Sequence, residues 1–283
     1  MGLHHKNPTD NPNPSPARAE EIEIISLVRG GDYDRFLAIQ LAPKAKRAGL
    51  YAVTALHVEV ARIAETVSEP LIGHIRLAWW REGLEEIMKG QAPRNHPVLR
   101  ALHALYVEHA AMFPLLQAMI EARAADMDDA LLDEEAAWLA YCDATAGGLH
   151  RAWAQMLDVE AAQAHDVAIQ AHARAYAMIG LVRAIPFMAQ RGWVRFPSAR
   201  LGKHQLDSLA PSVQLNGFVQ EVVNDALRIC DGHGLDSRLL PLIGTVKLAK
   251  LHAKNMKKTG HNPYALRPNT LGSAWQIAKI TIF

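Results

Sequence analysis

From residue 20 onward the sequence repeats its apolar residues every three or four positions and almost never alternates them every two. The first spacing lines one stripe of an α-helix, whereas the second is what a half-buried strand requires. Alanine and leucine dominate, and β-branched alternation is scarce. A chain written this way has one economical solution, an all-α domain whose helices bury their stripes against one another.

Helix punctuation predicts the elements. Gly30-Gly31 ends a first helix over Glu20–Arg29. Asp32 or Asp34 caps a short second helix, and Pro43 opens a long third one to Thr66. Pro70 sits in the first turn of a helix running to Gly90. Helices over Asn95–Ala110, Phe113–Met127 and Glu134–Thr145 follow, the last broken at Gly147-Gly148. The longest pattern spans Val159–Gln190 and holds Pro186, which is expected to kink it. A loop over Gly192–Ser212 leads to helices near Gly217–Cys230, Asp236–Lys258 and Thr270–Ile280. No fixed repeat and no linker divides residues 20–283, which read as one domain. Residues 1–19, rich in Pro and Asn, are expected to be a disordered tail.

Composition excludes several function classes. A net charge of +1 does not indicate nucleic-acid binding. Two distant cysteines, Cys142 and Cys230, read as buried thiols of a reducing compartment. No run reaches the ~18 apolar residues of a membrane span, and the first residues lack a signal peptide's apolar stretch. These readings imply a cytoplasmic protein. The 14 histidines form no HExxH motif, and His165 and His172 are expected on a helix surface.

Two stretches say more. One is "LYAVTALHVEVARIAETVSEPLIGHIRLAWWREGLEEI", Leu50–Ile87, and the other is "YAMIGLVRAIPFMAQRGWVRFP", Tyr176–Pro197. With "AWLAYCDATAGGL", which contains Tyr141, they resemble the squalene/phytoene synthase family over roughly residues 32–245. The resemblance implies an isoprenoid-synthase-type helical bundle around a central cavity. It also implies an ancestral reaction that joins two prenyl diphosphates head to head. Magnesium ions in that family hold the departing diphosphate and are themselves held by aspartates at i and i+4 on two facing helices. That spacing puts two carboxylates on one helix face.

Carried onto this chain, the first pair falls on Ala61 and Glu65 and the second on Ala184 and Met188. Three of four expected carboxylates are absent, so no metal and no cofactor is expected. The segment Gly180–Pro197 keeps Arg183, Arg191 and Arg195 with no acid among them. The chain therefore resembles a non-catalytic branch of the family, which includes an assembly factor for mitochondrial respiratory complex I. The expectation is an assembly factor, or a lipid- or isoprenoid-binding one, for a membrane-associated complex. The alternative is an active prenyltransferase with an atypical magnesium site built from Glu65, Asp126 or Asp128.

Other residues carry two readings each. Arg62, Arg76, Arg81 and Arg183 suit a diphosphate pocket, or pair with acids at helical spacing, as Glu59–Arg62 and Arg62–Glu65 would. Of Trp79 and Trp80, at most one can face inward, since neighbours on a helix point about 100° apart. Asp126 and Asp128 lie near where the family has a further substrate-site acid, and their plainer reading is a solvated helix end. Lys247, Lys250, Lys254 and Lys257 share a stripe opposite Leu248, Leu251 and Met256. That pattern fits either a solvated face or peripheral contact of the Lys247–Lys258 helix with the inner membrane.

Overall fold

A computed structural model describes residues 15–267 and 270–282. It contains helices and no strands among the described residues. The first group comprises α1 (Pro16–Gly31), α2 (Tyr33–Ile39), α3 (Lys44–Ala61), α4 (Ile63–Thr66), α5 (Pro70–Met88), α6 (Pro97–His109) and α7 (Phe113–Ala122). Helix α1 begins four residues before the expected domain start, so Pro16–Ala19 are helical. The rest of the expected tail, residues 1–14, lies outside the described residues. The Asp32 side chain accepts from the Arg35 amide at 3.1 Å and caps α2. Pro70 occupies the first turn of α5, and Gly90, at φ +71°, follows its end.

The second group comprises α8 (Glu135–Cys142), α9 (Gly148–Leu157), α10 (Val159–Ala164), α11 (Asp166–Arg183), α12 (Ile185–Gln190) and α13 (Ser198–Lys203). The third is α14 (Val213–Cys230), α15 (Leu240–Lys258) and α16 (Thr270–Ile282). Helix α13 lies inside the expected loop, opened by Pro197.

Three expectations about breaks are corrected. Gly147-Gly148 does not end a helix: α8 runs through a widened turn, Asp143–Gly147, straight into α9. Gly148 serves close packing instead, since a Cβ there would stand 3.2 Å from the Leu115 carbonyl oxygen of α7. The pattern from Val159 to Gln190 is three helices, not one. Its second break falls at Ala184 (ψ −4°) rather than at Pro186, which sits harmlessly in the first turn of α12. The Met188 amide still donates to the Ala184 carbonyl at 2.9 Å. Pro186 therefore does not separate positions 184 and 188.

Two apolar clusters hold the bundle. One joins α3, α5, α6, α7 and α9 through Leu50, Leu56, Leu84, Leu99 and Trp153. The other joins α8, α11 and α14 through Trp138, Met178, Phe196 and Phe218. The buried Trp153 indole donates to Thr54 Oγ1 at 3.1 Å, so its polar atom is satisfied in the core. Cys142 and Cys230 are both buried free thiols, as expected. Burial pushes the Cys142 thiol up to about 12, which makes it unreactive.

Candidate functional site

Where α2, α11, α15 and α16 converge, a cleft of about 330 Å³ opens. Asp34, Arg35, Tyr176, Arg183, His252 and Ser273 line it. A second cleft of about 370 Å³ shares Arg183 and His252 and adds Pro186, Asn255, Tyr264 and Arg267. Asp34 sits at the junction. Its Oδ2 lies 2.5 Å from His252 Nε2 and 3.5 Å from Arg183 Nη1.

Beneath the first cleft lies a buried polar layer. Arg35 donates to Asp32 Oδ2 at 2.5 Å and to His150 Nε2 at 3.5 Å. Its Nη1 lies 3.4 Å from His57 Nε2, and its guanidinium stacks over the Tyr176 ring at 4.6 Å. Burial first, then the positive charges of Arg35 and Arg123, hold the His57 imidazole well below 6.5. Burial, Arg35 and His172 do the same to His150. Both imidazoles are therefore neutral at pH 7.

Further in, Arg123 Nη1 donates to the Tyr141 hydroxyl at 2.7 Å and to Asp126 Oδ2 at 3.1 Å. The Tyr141 hydroxyl donates to Asp126 Oδ1 at 2.8 Å. Arg195 reaches the same carboxylate at 3.3 Å and donates to the Asp126 carbonyl at 2.6 Å. Burial pushes the Tyr141 phenol up; Arg123 opposes this, and the charge of Asp126 adds to it. The phenol stays protonated, a donor to its carboxylate.

The residues expected from sequence distribute unevenly. Asp126 is buried between two arginines, so its reading as a solvated helix end is corrected; only Asp128 is exposed. Its partner Tyr141 is in the same network. Arg183 lines both clefts. Arg62 and Trp80 line a separate hollow of about 290 Å³ with Arg76 and Trp79. Trp80 is buried and Trp79 is at the surface, as adjacent helix positions require. Arg62 makes no ion pair with Glu59 or Glu65 among the described residues. It points at Gly31, where a Cβ would lie 3.1 Å from its Nη2. Arg81 is a surface residue, 3.7 Å from Glu85 one helical turn on. His172 is not on the surface: it is buried, and its Nε2 bonds the His233 carbonyl at 2.7 Å.

The four motif positions divide into two cases. Ala184 is half-buried and Met188 is 2% exposed. Ala61 ends α3, and Glu65 stands exposed on α4 beyond a break at Arg62. The Glu65 amide donates to the Arg62 carbonyl, three residues back, at 3.0 Å. The first pair thus straddles a helix break and lacks the i,i+4 geometry. Magnesium takes several oxygen ligands, and three of these positions supply none. Among the described residues no three His, Cys, Asp or Glu side chains are placed to hold a metal.

Sequence reading missed Asp34, Arg35, His57, His150, Tyr176 and His252. Arg35 follows an aspartate in a short capped helix, and nothing local marks it as buried.

The sequence profile of squalene/phytoene synthases matches residues 28–242. The chain belongs to the squalene/phytoene synthase family. Within the family it is 28% identical over 204 residues to "NADH dehydrogenase (ubiquinone) complex I, assembly factor 6" of Bos taurus. That match covers 71% of this chain and 60% of the relative. The Homo sapiens protein of the same name is 26% identical over 173 residues, 61% of this chain and 51% of its own length. The chain thus spans between half and two thirds of the length of these two relatives. Its bundle is the family's: a dehydrosqualene synthase in complex with ligand superposes with a TM-score of 0.76 at 15% identity, covering 94% of this chain and 96% of that one. The squalene synthase HpnC of Alicyclobacillus acidocaldarius gives 0.73 at 18%, covering 89% and 98%.

Proposed function

We propose that this protein is a non-catalytic member of the squalene/phytoene synthase family that assists the assembly of a membrane-bound respiratory NADH dehydrogenase. The observation that carries the reading is the state of the four ligand positions: Ala61, Ala184 and Met188 offer no oxygen, and Glu65 is turned to solvent. Without a metal clamp nothing neutralises a departing diphosphate. A buried layer carrying the guanidinium groups of Arg35, Arg123 and Arg195 also opposes entry of a divalent cation. The name its relatives carry, complex I assembly factor 6, supports the assembly role. In this reading the joined clefts beside Arg183 hold the anionic head of a lipid or an isoprenoid rather than a reacting substrate.

Two measurements test the proposal. Purified protein given farnesyl or geranylgeranyl diphosphate with magnesium should release no pyrophosphate above a boiled control. Deleting the gene should deplete assembled NADH dehydrogenase in membranes, and a Glu65→Ala copy should restore it. Enzyme-like pyrophosphate release, abolished by Glu65→Ala, would establish the prenyltransferase alternative instead.

A further inference from the structure

The net charge conceals a strong asymmetry. The chain has 30 basic and 29 acidic residues, yet eight of the basic ones and none of the acidic ones follow Asp236. Most of this excess lies on α15, which has five lysines and no carboxylate. Lys250, Lys254, Lys257 and Lys258 are exposed and Lys247 is half-buried. Leu248, Ala249, Ala253 and Met256 are buried on the opposite side. Among the described residues none of these lysines has an ion-pair partner, although most arginines of the protein have one.

Helix α16 lies antiparallel against α15. Gly244, near the start of α15, meets Ile277, while His252, farther along α15, shares a cleft with Thr270 and Ser273. Ser273 and Ile277 are the buried side of α16. Its outward side carries Leu271 and Trp275, 85% and 61% exposed, and Lys279, whose ammonium lies 5.5 Å from the Trp275 ring centre. Two neighbouring helices therefore present an unpaired basic stripe beside an exposed leucine and tryptophan.

We infer that the outward faces of α15 and α16 together form a docking surface for an anionic lipid bilayer. The lysines supply attraction to acidic headgroups, while Trp275 and Leu271 enter the interfacial zone, where an indole is favoured. A phosphate backbone would also attract the lysines, but it gives no use for a nearly fully exposed leucine beside them. No helix here is long and apolar enough to cross a membrane among the described residues, so the contact is peripheral. The inference rests on α15 and α16 and is independent of the assembly-factor reading.

Flotation of the full chain with phosphatidylcholine vesicles, with and without phosphatidylglycerol, tests it. The protein should float with the anionic vesicles, stay behind with the neutral ones, and detach as salt rises. Each lysine contributes roughly a fivefold change in partitioning, so Lys250→Gln, Lys254→Gln, Lys257→Gln and Lys258→Gln together should lower it by more than about a hundredfold. Lys89→Gln, at the residue that caps the end of α5, should change nothing. Brominated lipid should quench tryptophan emission less in Trp275→Phe than in the parent. Equal flotation with both vesicles, an unaffected quadruple variant of native circular dichroism, or tighter retention on duplex DNA than on vesicles would each overturn the inference.

Discussion

The imidazole of His252 meets the carboxylate of Asp34 at 2.5 Å across 218 residues of chain. The contact ties α15 to the first turn of α2. Arg183 of α11 and Ser273 of α16 engage the same carboxylate, so four helices converge on one acid. Burial raises the Asp34 carboxyl, but His252, Arg183 and Ser273 outweigh it and hold the group below its ordinary 3.8. A depressed carboxylate stabilises fully above its unfolded value, and that stability is lost as pH falls through the folded value. Urea midpoints should therefore decline below about pH 4. Asp34→Asn should flatten that acid limb and cost about 1–3 kcal/mol at neutral pH. Superimposable pH profiles for parent and variant would remove Asp34 from this role.

His57 and His150 predict a second, milder pH effect. Both are buried and neutral, with folded values well below the ordinary 6.5. Unfolding lets them take up protons, so stability is complete above about pH 6.5 and declines as pH falls beneath it. Each contributes a slope of up to about 1.4 kcal/mol per pH unit. Replacing both with glutamine should reduce the slope between about pH 6.5 and 5, measured by urea unfolding. A slope unchanged in the double variant would mean other histidines carry it.

One substitution should change sign between two glycines. At Gly180, in α11, an added Cβ meets nothing within 4 Å, so Gly180→Ala should stabilise by about 0.5–1 kcal/mol through helix propensity. At Gly148 the same methyl group meets the Leu115 carbonyl at 3.2 Å. Backbone cannot swing aside as a side chain can, so Gly148→Ala should destabilise by about 1–3 kcal/mol. Thermal unfolding decides both, and stabilisation at Gly148 would mean α7 and α9 are not packed this closely.

Restoring carboxylates should not restore a metal site. Ala61→Asp and Glu65 would lie on separate helices either side of the break at Arg62, without the i,i+4 register that a shared ion needs. Met188→Asp would place a carboxylate in a core position that is 2% exposed, costing about 3 kcal/mol or more. The triple variant Ala61→Asp, Ala184→Asp, Met188→Asp should be less stable than the parent and release no pyrophosphate from a prenyl diphosphate with magnesium. Positions 184 and 188 share a regular turn, so the failure should come from the first pair and from burial, not from Pro186. Turnover by this variant would show the ancestral pocket to be intact.

Much of this protein is written locally. Apolar spacing and the signals at Asp32, Pro70 and Gly90 suffice for the helices, because a helix stripe and its caps involve residues within a turn or two of one another. The motif stretches around Trp79-Trp80 and Arg183 suffice for the family, and the absence of acids at Ala61, Ala184 and Met188 is visible without coordinates. Tertiary structure decided that the chain stays helical through Gly147-Gly148 and breaks at Ala184 rather than Pro186, and which polar groups are buried. Gly147-Gly148 looked like a stop because isolated glycine disfavours helix, but packing against α7 needs a residue without a side chain there. Arg35 and His150 are 115 positions apart, and Asp34 and His252 are 218. Periodicity reports only the face on which a residue lies. Which face of another helix it meets, and whether a charge there finds its partner out of water, is fixed by the packing of the whole bundle.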